Sequence, residues 1–249
     1  MSDEWELYAC AMGDHTAYIS FDNGIRKTIN KLPQKTALKI RVLIDNPTDA
    51  GLPQGDEFGV LNVIEDTISA FLASHEGVYL GRITVKGARH FLCLCDAAET
   101  IVKDFCTTIR KERNRKIAYM QEADHERNVY WKDLYPTEHD WQLIQDMKVI
   151  DSLRKNGDTL TIKRRIDHWL WFKDAAFREH FRLWAEGNAF GIHEMMDHPD
   201  DNNYPFGIRI FHEAVPSLGE ISHHTIQLHD VAKENSGDYD GWETSVEKG

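Results

Sequence analysis

The residues best suited to chemistry are histidines and carboxylates, and the segment "HEMMDH" (193–198) holds both. It resembles the zinc-binding pattern H-E-x-x-H, in which two histidines four residues apart lie on one face of a helix. Position 197 is Asp197 rather than histidine, so the spacing fails. The segment predicts a strand that runs into a turn, and we expect no metal site there.

Other patterns of catalytic and cofactor sites are missing from the sequence. No G-x-S-x-G, P-loop or G-x-G-x-x-G occurs. The second half contains eight histidines, including His223 and His224, and we expect them at surface or half-buried positions. We therefore predict a protein that is not an enzyme and has no cofactor. The alternative is a hydrolase or other enzyme site in the first half, around Asp14, His15 and Asp22 on early strands.

The second half predicts a ferredoxin-like order of elements. Residues 159–172 alternate apolar and polar side chains as a strand does, and Asp174 is placed to cap a helix that ends near Gly187. The segments "AFGIHEMM" and "YPFGIRIF" predict a hairpin. Ser217 and Glu220 form a capping box for a second helix, and "YDGWETSVE" predicts the last strand. The order βαββαβ predicts an antiparallel sheet with two helices on one face.

The first half predicts a separate α+β domain. Strands are expected at 4–12, 15–22, 37–45, 77–85, 89–95 and 115–122, and helices at 56–74 and 97–113. A third helix runs from a Thr137 cap to about Leu153, and Gly157 in "RKNGD" marks the expected boundary. The sequence thus predicts two α+β domains, 1–157 and 158–249.

The charge of the chain bears on its partners. The net charge is −12, with 20 Lys/Arg against 25 Asp/Glu in residues 1–158 and 9 against 16 in residues 159–249. Because phosphate contacts need cations, this balance disfavours nucleic acid as a direct ligand. It suits a basic protein partner better, but composition alone is explained more simply by a negative charge that keeps a cytosolic protein soluble.

Apolar runs and cysteines bear on location. No apolar run approaches the roughly 18 residues of a membrane helix, and the acidic start "MSDEWELYAC" does not resemble a secretory signal. We therefore expect a cytoplasmic protein without a membrane contact. Cys10, Cys93, Cys95 and Cys106 make no C-x-x-C pair and are expected to be buried free thiols.

Three segments of the second half, "RRIDHWLWF", "AAFREHF" and the closing "YDGWET", resemble the family of the ribonuclease E inhibitor RraB over about residues 159–247. The first half resembles an uncharacterised bacterial domain of unknown function that is found joined to RraB-like domains, through "EWELYACAMGDHTAYISFDNG" and its general layout. The resemblance to RraB implies a ferredoxin-like fold. It also implies a regulator that binds a ribonuclease and dampens RNA cleavage without chemistry of its own.

The expected binding surface is an aromatic face of the sheet in the second half. Acidic residues border this face and bind a basic, Arg/Lys-rich segment of a ribonuclease E-type endonuclease. Its predicted residues are Trp169, Trp171, Arg209, Phe211, Asp240 and Glu243. Two alternatives stay open. RNA-recognition modules also present aromatic residues on these strands, and the same face is suited to an interdomain core.

Trp242 lies within the last eight residues, where chain ends usually carry small polar residues unless they are packed. In a regular strand, Asp240, Trp242 and Thr244 share one face and Glu243 lies on the other, although Gly241 permits a bulge or the close approach of a neighbouring element. We expect Trp242 to be buried in the core and Asp240 and Glu243 to be exposed.

Overall fold

The computed structural model describes residues 4–198 and 203–248. The chain divides into two compact units, residues 1–140 (unit 1) and 141–249 (unit 2). The sequence predicts a boundary after residue 157, whereas this division falls earlier. The difference arises because the helix Glu138–Lys155 buries Ile150 and Leu153 in a cluster with Ile166 and Trp242 of unit 2.

Unit 1 is built on an antiparallel sheet. Within the described residues its strands are β1 (Trp5–Met12), β2 (His15–Asp22), β3 (Thr36–Leu43), β4 (Val78–Val85), β5 (Ala88–Leu94) and β6 (Ile117–Ala123). They are hydrogen-bonded in the order β1-β2-β4-β5-β3-β6. The predicted helices are α1 (Glu57–Ser74) and α2 (Glu99–Arg113). Three short elements were not predicted: two 3-10 helices, Gly24–Lys27 and Ile29–Lys31, and helix α3, Asn128–Trp131.

The core of unit 1 explains the spacing of its apolar residues. Ile64 and Ile68 of α1 and Val102 of α2 are fully buried with Ile40 and Phe91 of the sheet. All four cysteines lie in the described part of the chain and are free thiols, and only Cys10 is not fully buried. Burial raises the pKa of the Cys106 thiol to about 11, which keeps it in its unreactive protonated form.

Unit 2 contains the predicted ferredoxin-like unit, preceded by a helix. Its elements are α4 (Glu138–Lys155), whose first three residues fall in unit 1, and then β7 (Arg164–Phe172), α5 (Ala175–Gly187), β8 (Gly191–Asp197), β9 (Phe206–Ala214), α6 (Leu218–Glu234) and β10 (Gly237–Glu243). In the described ranges the strands form one antiparallel sheet in the order β10-β7-β9-β8. The predicted order βαββαβ is confirmed. The two helices α5 and α6 supply Phe181 and Leu228 to the core on one face of this sheet.

The predicted N-caps of α5 and α6 are both present. The side chain of Asp174 accepts a hydrogen bond from the backbone N–H of Ala176 at 2.7 Å. The Ser217 hydroxyl accepts one from the backbone N–H of Glu220 at 3.3 Å. Each cap satisfies an amide that the first turn of a helix leaves without a partner.

The last strand departs from regular alternation. A bulge between Tyr239 and Gly241 shifts the register, so that Tyr239 lies opposite Leu170 and Trp242 lies opposite His168. Tyr239 and Trp242 are 8% and 7% exposed, and both face the core. The prediction that Asp240 and Trp242 share a face is therefore wrong, because the extra residue of a bulge changes the side on which the next residue emerges. The expected burial of Trp242 is confirmed.

No helix in residues 4–198 and 203–248 is long and apolar enough to cross a membrane.

Candidate partner-binding surface

Strand β7 separates two sets of side chains by simple alternation. Ile166, His168, Leu170 and Phe172 are fully buried, whereas Trp169 and Trp171 on the opposite side are half-buried. Strand β9 continues the second side, because Arg209 pairs with Trp169. We call the surface formed by Arg165, Asp167, Trp169, Trp171, Arg209 and Phe211 the aromatic face.

Cations and rings alternate on the aromatic face. The guanidinium of Arg209 lies 4.5 Å from the ring centre of Trp169, and that of Arg165 lies 4.0 Å from the ring centre of Phe211. Both distances are within the range of cation–π attraction. Each cation thus holds one ring in a fixed position.

Asp167 joins the two cations. Its carboxylate accepts hydrogen bonds from Arg165 Nη2 at 2.6 Å and from Arg209 Nε at 3.1 Å. Burial by itself raises the pKa of Asp167, but the hydrogen bonds from Arg165 and Arg209 outweigh it and lower the pKa below its usual value. The face is therefore a linked network and not a set of independent side chains.

Each aromatic residue of the face lies opposite a glycine on a neighbouring strand. Phe211 pairs with Gly191, Trp171 with Gly207, and Trp169 with Gly241. A Cβ at Gly207 would come within 2.5 Å of Trp171 Cζ3, and one at Gly191 would overlap the ring of Phe211. The missing side chains allow these two rings to lie across the next strand, which presents a broad aromatic surface.

Acidic residues of β10 border the face. Asp240 accepts a hydrogen bond from Trp171 Nε1 at 3.4 Å, and Glu243 accepts one from Arg209 Nη2 at 3.4 Å. Both acids are exposed. Asp238 lies on the same strand, and burial, followed by the nearby charge of Asp240, raises its pKa. The six residues predicted from the sequence therefore lie on one continuous surface of β7, β9 and β10.

A groove of 640 Å³ runs between β10 and α4. Its walls are Tyr239 to Glu243 on one side and Gln142, Gln145, Lys148, Val149 and Ser152 on the other, with Trp169 at its border. We call it the β10 groove. All its lining residues belong to unit 2.

Asp146 of α4 fixes the position of the groove wall. This residue is fully buried, and its carboxyl oxygens accept four hydrogen bonds. The donors are Gln142 Nε2 at 2.9 Å, Trp242 Nε1 at 3.0 Å, Ser222 Oγ at 2.9 Å and Thr225 Oγ1 at 2.6 Å. One carboxyl group thus ties α4 to α6 and β10. Sequence reasoning missed Asp146, although a polar residue between the apolar positions Ile144 and Ile150 was an available signal.

Three histidines, His168 of β7, His212 of β9 and His224 of α6, form a cluster on the core side of the sheet. His168 Nδ1 is hydrogen-bonded to the Tyr239 hydroxyl at 2.8 Å, and His168 Nε2 to His212 Nδ1 at 3.0 Å. The ring centres of His212 and His224 lie 4.2 Å apart. His168 is fully buried, so the expectation that the histidines of this half are surface or half-buried is wrong for this residue. A hydrogen-bond partner for both ring nitrogens allows this burial.

Acid should destabilise unit 2 through this cluster. Burial, followed by the neighbouring His224, lowers the pKa of His212 to about 4, and burial also lowers the pKa of His168 well below its usual value. Unfolded histidine titrates near 6.5, so the unfolded chain binds more protons between about pH 6.5 and about pH 4. Stability is therefore present above about pH 6.5 and is lost as the pH falls. Because His212 is only partly buried, we expect a loss of about 1–2 kcal/mol.

Urea unfolding between about pH 7 and about pH 4.5 checks this expectation. The groups that face the cluster are Tyr239, Glu220 and His223, and the carboxylate of Glu220 partly offsets a proton on His224. His212→Gln should flatten the pH dependence of the unfolding free energy, whereas His193→Gln, on the exposed part of β8, should leave it unchanged. An unchanged slope in the His212 variant would contradict this assignment.

The candidate enzyme residues of unit 1 do not form a site together. His15 and Asp22 stand at opposite ends of β2, which places them about 23 Å apart at the rise of a strand. Asp22 is fully buried, whereas Asp14 and His15 are exposed. "HEMMDH" lies on strand β8 and the residue after it, so its histidines do not share a helical face.

A polar cleft in unit 1 is lined by Trp5, Ser20, Glu65, Asp66, Tyr79 and Arg82, among others. Its half-buried acid, Glu65, accepts hydrogen bonds from the Tyr79 hydroxyl at 3.0 Å and from Arg82 Nη1 at 2.5 Å. The charge of Glu65 is thus already balanced by Arg82. This arrangement is typical of a structural ion pair.

The geometry defines a two-unit α+β protein whose second unit is a ferredoxin-like domain with an aromatic face and a groove. The chain belongs to the family of unknown function DUF695, whose model matches residues 3–135, and it carries an RraB domain, described as Regulator of ribonuclease activity B, at residues 143–244. The resemblance seen in the sequence is confirmed for both parts. The description of the second family indicates a role in regulating ribonuclease activity.

Other comparisons add little. None of the curated proteins compared matches the chain. A crystal structure of an unknown protein from Galdieria sulphuraria is 10% identical, covers 86% of this chain and 99% of its own, and has a TM-score of 0.22. A structure assigned as a glycine cleavage system transcriptional repressor is also 10% identical, with the same coverage and a TM-score of 0.25. Scores this low support no argument about fold or function.

Proposed function

We propose that this protein regulates an RNA-processing endonuclease of the ribonuclease E type in the cytoplasm, by binding it and without chemistry of its own. The observation that carries the proposal is the RraB domain match over residues 143–244. The aromatic face and the acidic β10 strand supply the contact surface. Its binding residues are Trp169, Trp171, Arg209, Phe211, Asp240 and Glu243.

The charge arrangement favours a basic protein segment as the ligand. Arg165 and Arg209 are both bound to Asp167, and Arg209 also contacts Glu243. Phosphates would have to compete with these carboxylates for the same guanidinium groups. Asp238 and Asp240 add negative charge, so an Arg/Lys-rich segment gains favourable contacts where RNA would be repelled. This disfavours the RNA-binding alternative.

Aromatic rings that are held flat by cations and glycines suit the role of anchors. Trp, Tyr and Arg side chains contribute most of the binding energy at protein interfaces. An Arg or Lys side chain of the partner that stacks on Trp171 or Trp169 would also come within reach of Asp240 and Glu243. Binding there would compete with RNA for the basic segment of the endonuclease.

A charge reversal on β10 tests the proposal. We expect the native chain to bind a purified ribonuclease E-type endonuclease from the same host and to slow its cleavage of RNA. Asp240→Lys/Glu243→Lys should weaken binding at least about tenfold, because two attractive contacts become repulsive. Biolayer interferometry and an RNA cleavage assay measure the two effects.

The control carries the same charge change on the helices of unit 2. Glu186→Lys/Glu234→Lys alters exposed acids on α5 and α6 and should leave binding and cleavage unchanged. Equal losses in both double variants would indicate a general charge effect instead of a site on β10. A native chain that neither binds the endonuclease nor slows it would refute the proposed function.

A further inference from the structure

We propose that unit 2 binds its partner by strand addition, in which an extended basic segment pairs with the outer edge of β10 inside the β10 groove. This inference rests on the proposed function, since it assigns a binding mode to the same surface. It commits to one occupant: a short stretch of protein in β conformation that carries Lys or Arg at alternate positions.

Strand β10 offers an edge for such pairing. In the sheet formed by the described residues, β10 is the end strand, and its one neighbour is β7. The backbone groups on its other side have no strand to pair with. Edge strands of this kind are templates for the addition of a further strand.

The β10 groove lies along this edge. It is lined by Tyr239 and Trp242, which face the core, and also by Trp169, which belongs to the aromatic face. Lining residues from both faces of a sheet meet only where the groove follows the rim of the sheet. Gly241 contributes to this opening, because it lies beside Trp169 and a Cβ there would meet no atom within 4 Å.

The dimensions of the groove fit a short strand. On α4 the lining residues run from Gln142 to Ser152, and on β10 they run from Tyr239 to Glu243. These spans correspond to about 15 Å along a helix and about 13 Å along a strand, which is the length of about four or five extended residues. The groove is too short for a long edge-to-edge pairing, and this favours a specific segment over general aggregation.

Charge selects the composition of the segment. Side chains of an added strand alternate between the two faces of the sheet, so those on one side point toward the aromatic face. Asp240 and Glu243 border that side and are exposed, and Asp238 lies nearby. Lys or Arg at every second position would meet these acids, while the residues between them would lie over the α4 wall at Gln145 and Val149.

Backbone methylation of a peptide tests strand addition directly. The probe is a dye-labelled octapeptide of alternating Lys and Thr, with two derivatives that carry N-methyl groups on either all Lys or all Thr residues. In a paired strand, alternate N–H groups face the neighbouring strand. Fluorescence anisotropy with the full chain should therefore show at least about a tenfold loss of affinity for one methylated peptide and little change for the other.

A groove-filling variant supplies a second measurement. Gln145→Trp places a large side chain in the groove from an exposed position of α4 and should weaken binding of the unmodified peptide by about tenfold or more. Arg154→Trp makes a comparable change on the same helix outside the groove and should leave binding unchanged. Circular dichroism confirms that both variants are folded.

The outcomes separate this inference from the proposed function. If the endonuclease binds the native chain, but peptide affinity is unchanged by either methylation pattern and by Gln145→Trp, strand addition is wrong and the proposed function stands. If only one of the two methylated peptides loses affinity but the endonuclease does not bind, the groove assignment stands and the proposed function fails. Equal affinity of both methylated peptides, or no binding of the unmodified peptide, would overturn strand addition.

Discussion

Replacing Trp242 with alanine is expected to lower the free energy of unfolding of unit 2 by about 3–5 kcal/mol, as for other buried large aromatic residues. The side chain is 7% exposed and packs with Ile150, Ile166 and Ile221. Its indole N–H also donates a hydrogen bond to Asp146. The substitution therefore removes a large apolar surface, and one carboxyl oxygen of Asp146 loses a hydrogen-bond donor.

Calorimetry of the full chain measures this effect as a fall in the Tm of unit 2 by more than about 10 °C. Trp242→Phe keeps much of the packing and loses only the hydrogen bond, so its cost should be smaller. Trp169→Ala is the matched control, since Trp169 is half-buried on the aromatic face and its loss should affect binding more than stability. A stable Trp242→Ala variant that no longer binds the endonuclease would make Trp242 a contact residue instead of a core residue.

The elements of the fold could be predicted from local patterns, because those patterns have local causes. Helix α5 starts where Asp174 supplies an acceptor for the first free amide, and α6 starts at Ser217 for the same reason. The side-chain alternation of β7 is likewise contained in its own residues, so the placement of Trp169 and Trp171 opposite the core followed from the sequence.

The faults in the prediction arise where a residue depends on distant partners. Gly241 permits the bulge that follows Tyr239 but does not require it, and the bulge places Trp242 on the side opposite to the one that alternation predicts for the strand. His168 could be buried only because Tyr239 and His212, far along the chain, satisfy its ring nitrogens. The boundary between the units falls before most of α4, because residues of that helix pack with strands and a helix that follow it.

The pairing of aromatic residues with glycines was also hidden in the sequence. Gly191, Gly207 and Gly241 lie in three different strands, and their relation to Phe211, Trp171 and Trp169 exists only in the register of the sheet. Single glycines in strands suggest a close approach of another group. The sequence does not identify that group until the strands are aligned.

Asp146→Ala is expected to lower the free energy of unfolding by about 3–5 kcal/mol, although it removes a polar side chain. Four donors from α4, α6 and β10 lose their acceptor together, and these groups are held away from water. A buried donor without a partner costs about 1–3 kcal/mol, so the combined penalty exceeds that of an ordinary polar deletion. Asp151→Ala, at an exposed position of the same helix, should change the unfolding free energy by less than about 0.5 kcal/mol.

A double-mutant cycle between Asp146→Ala and Trp242→Phe isolates the bond between the two residues. The losses should fall short of additivity by about 0.5–3 kcal/mol, because each single change already removes the same hydrogen bond. Additive losses would show that Asp146 and Trp242 act independently, in contradiction to the 3.0 Å contact. Because Asp146 sets the distance between α4 and β10, its loss should also weaken the binding of the Lys/Thr octapeptide to the β10 groove, under conditions in which the variant is still folded.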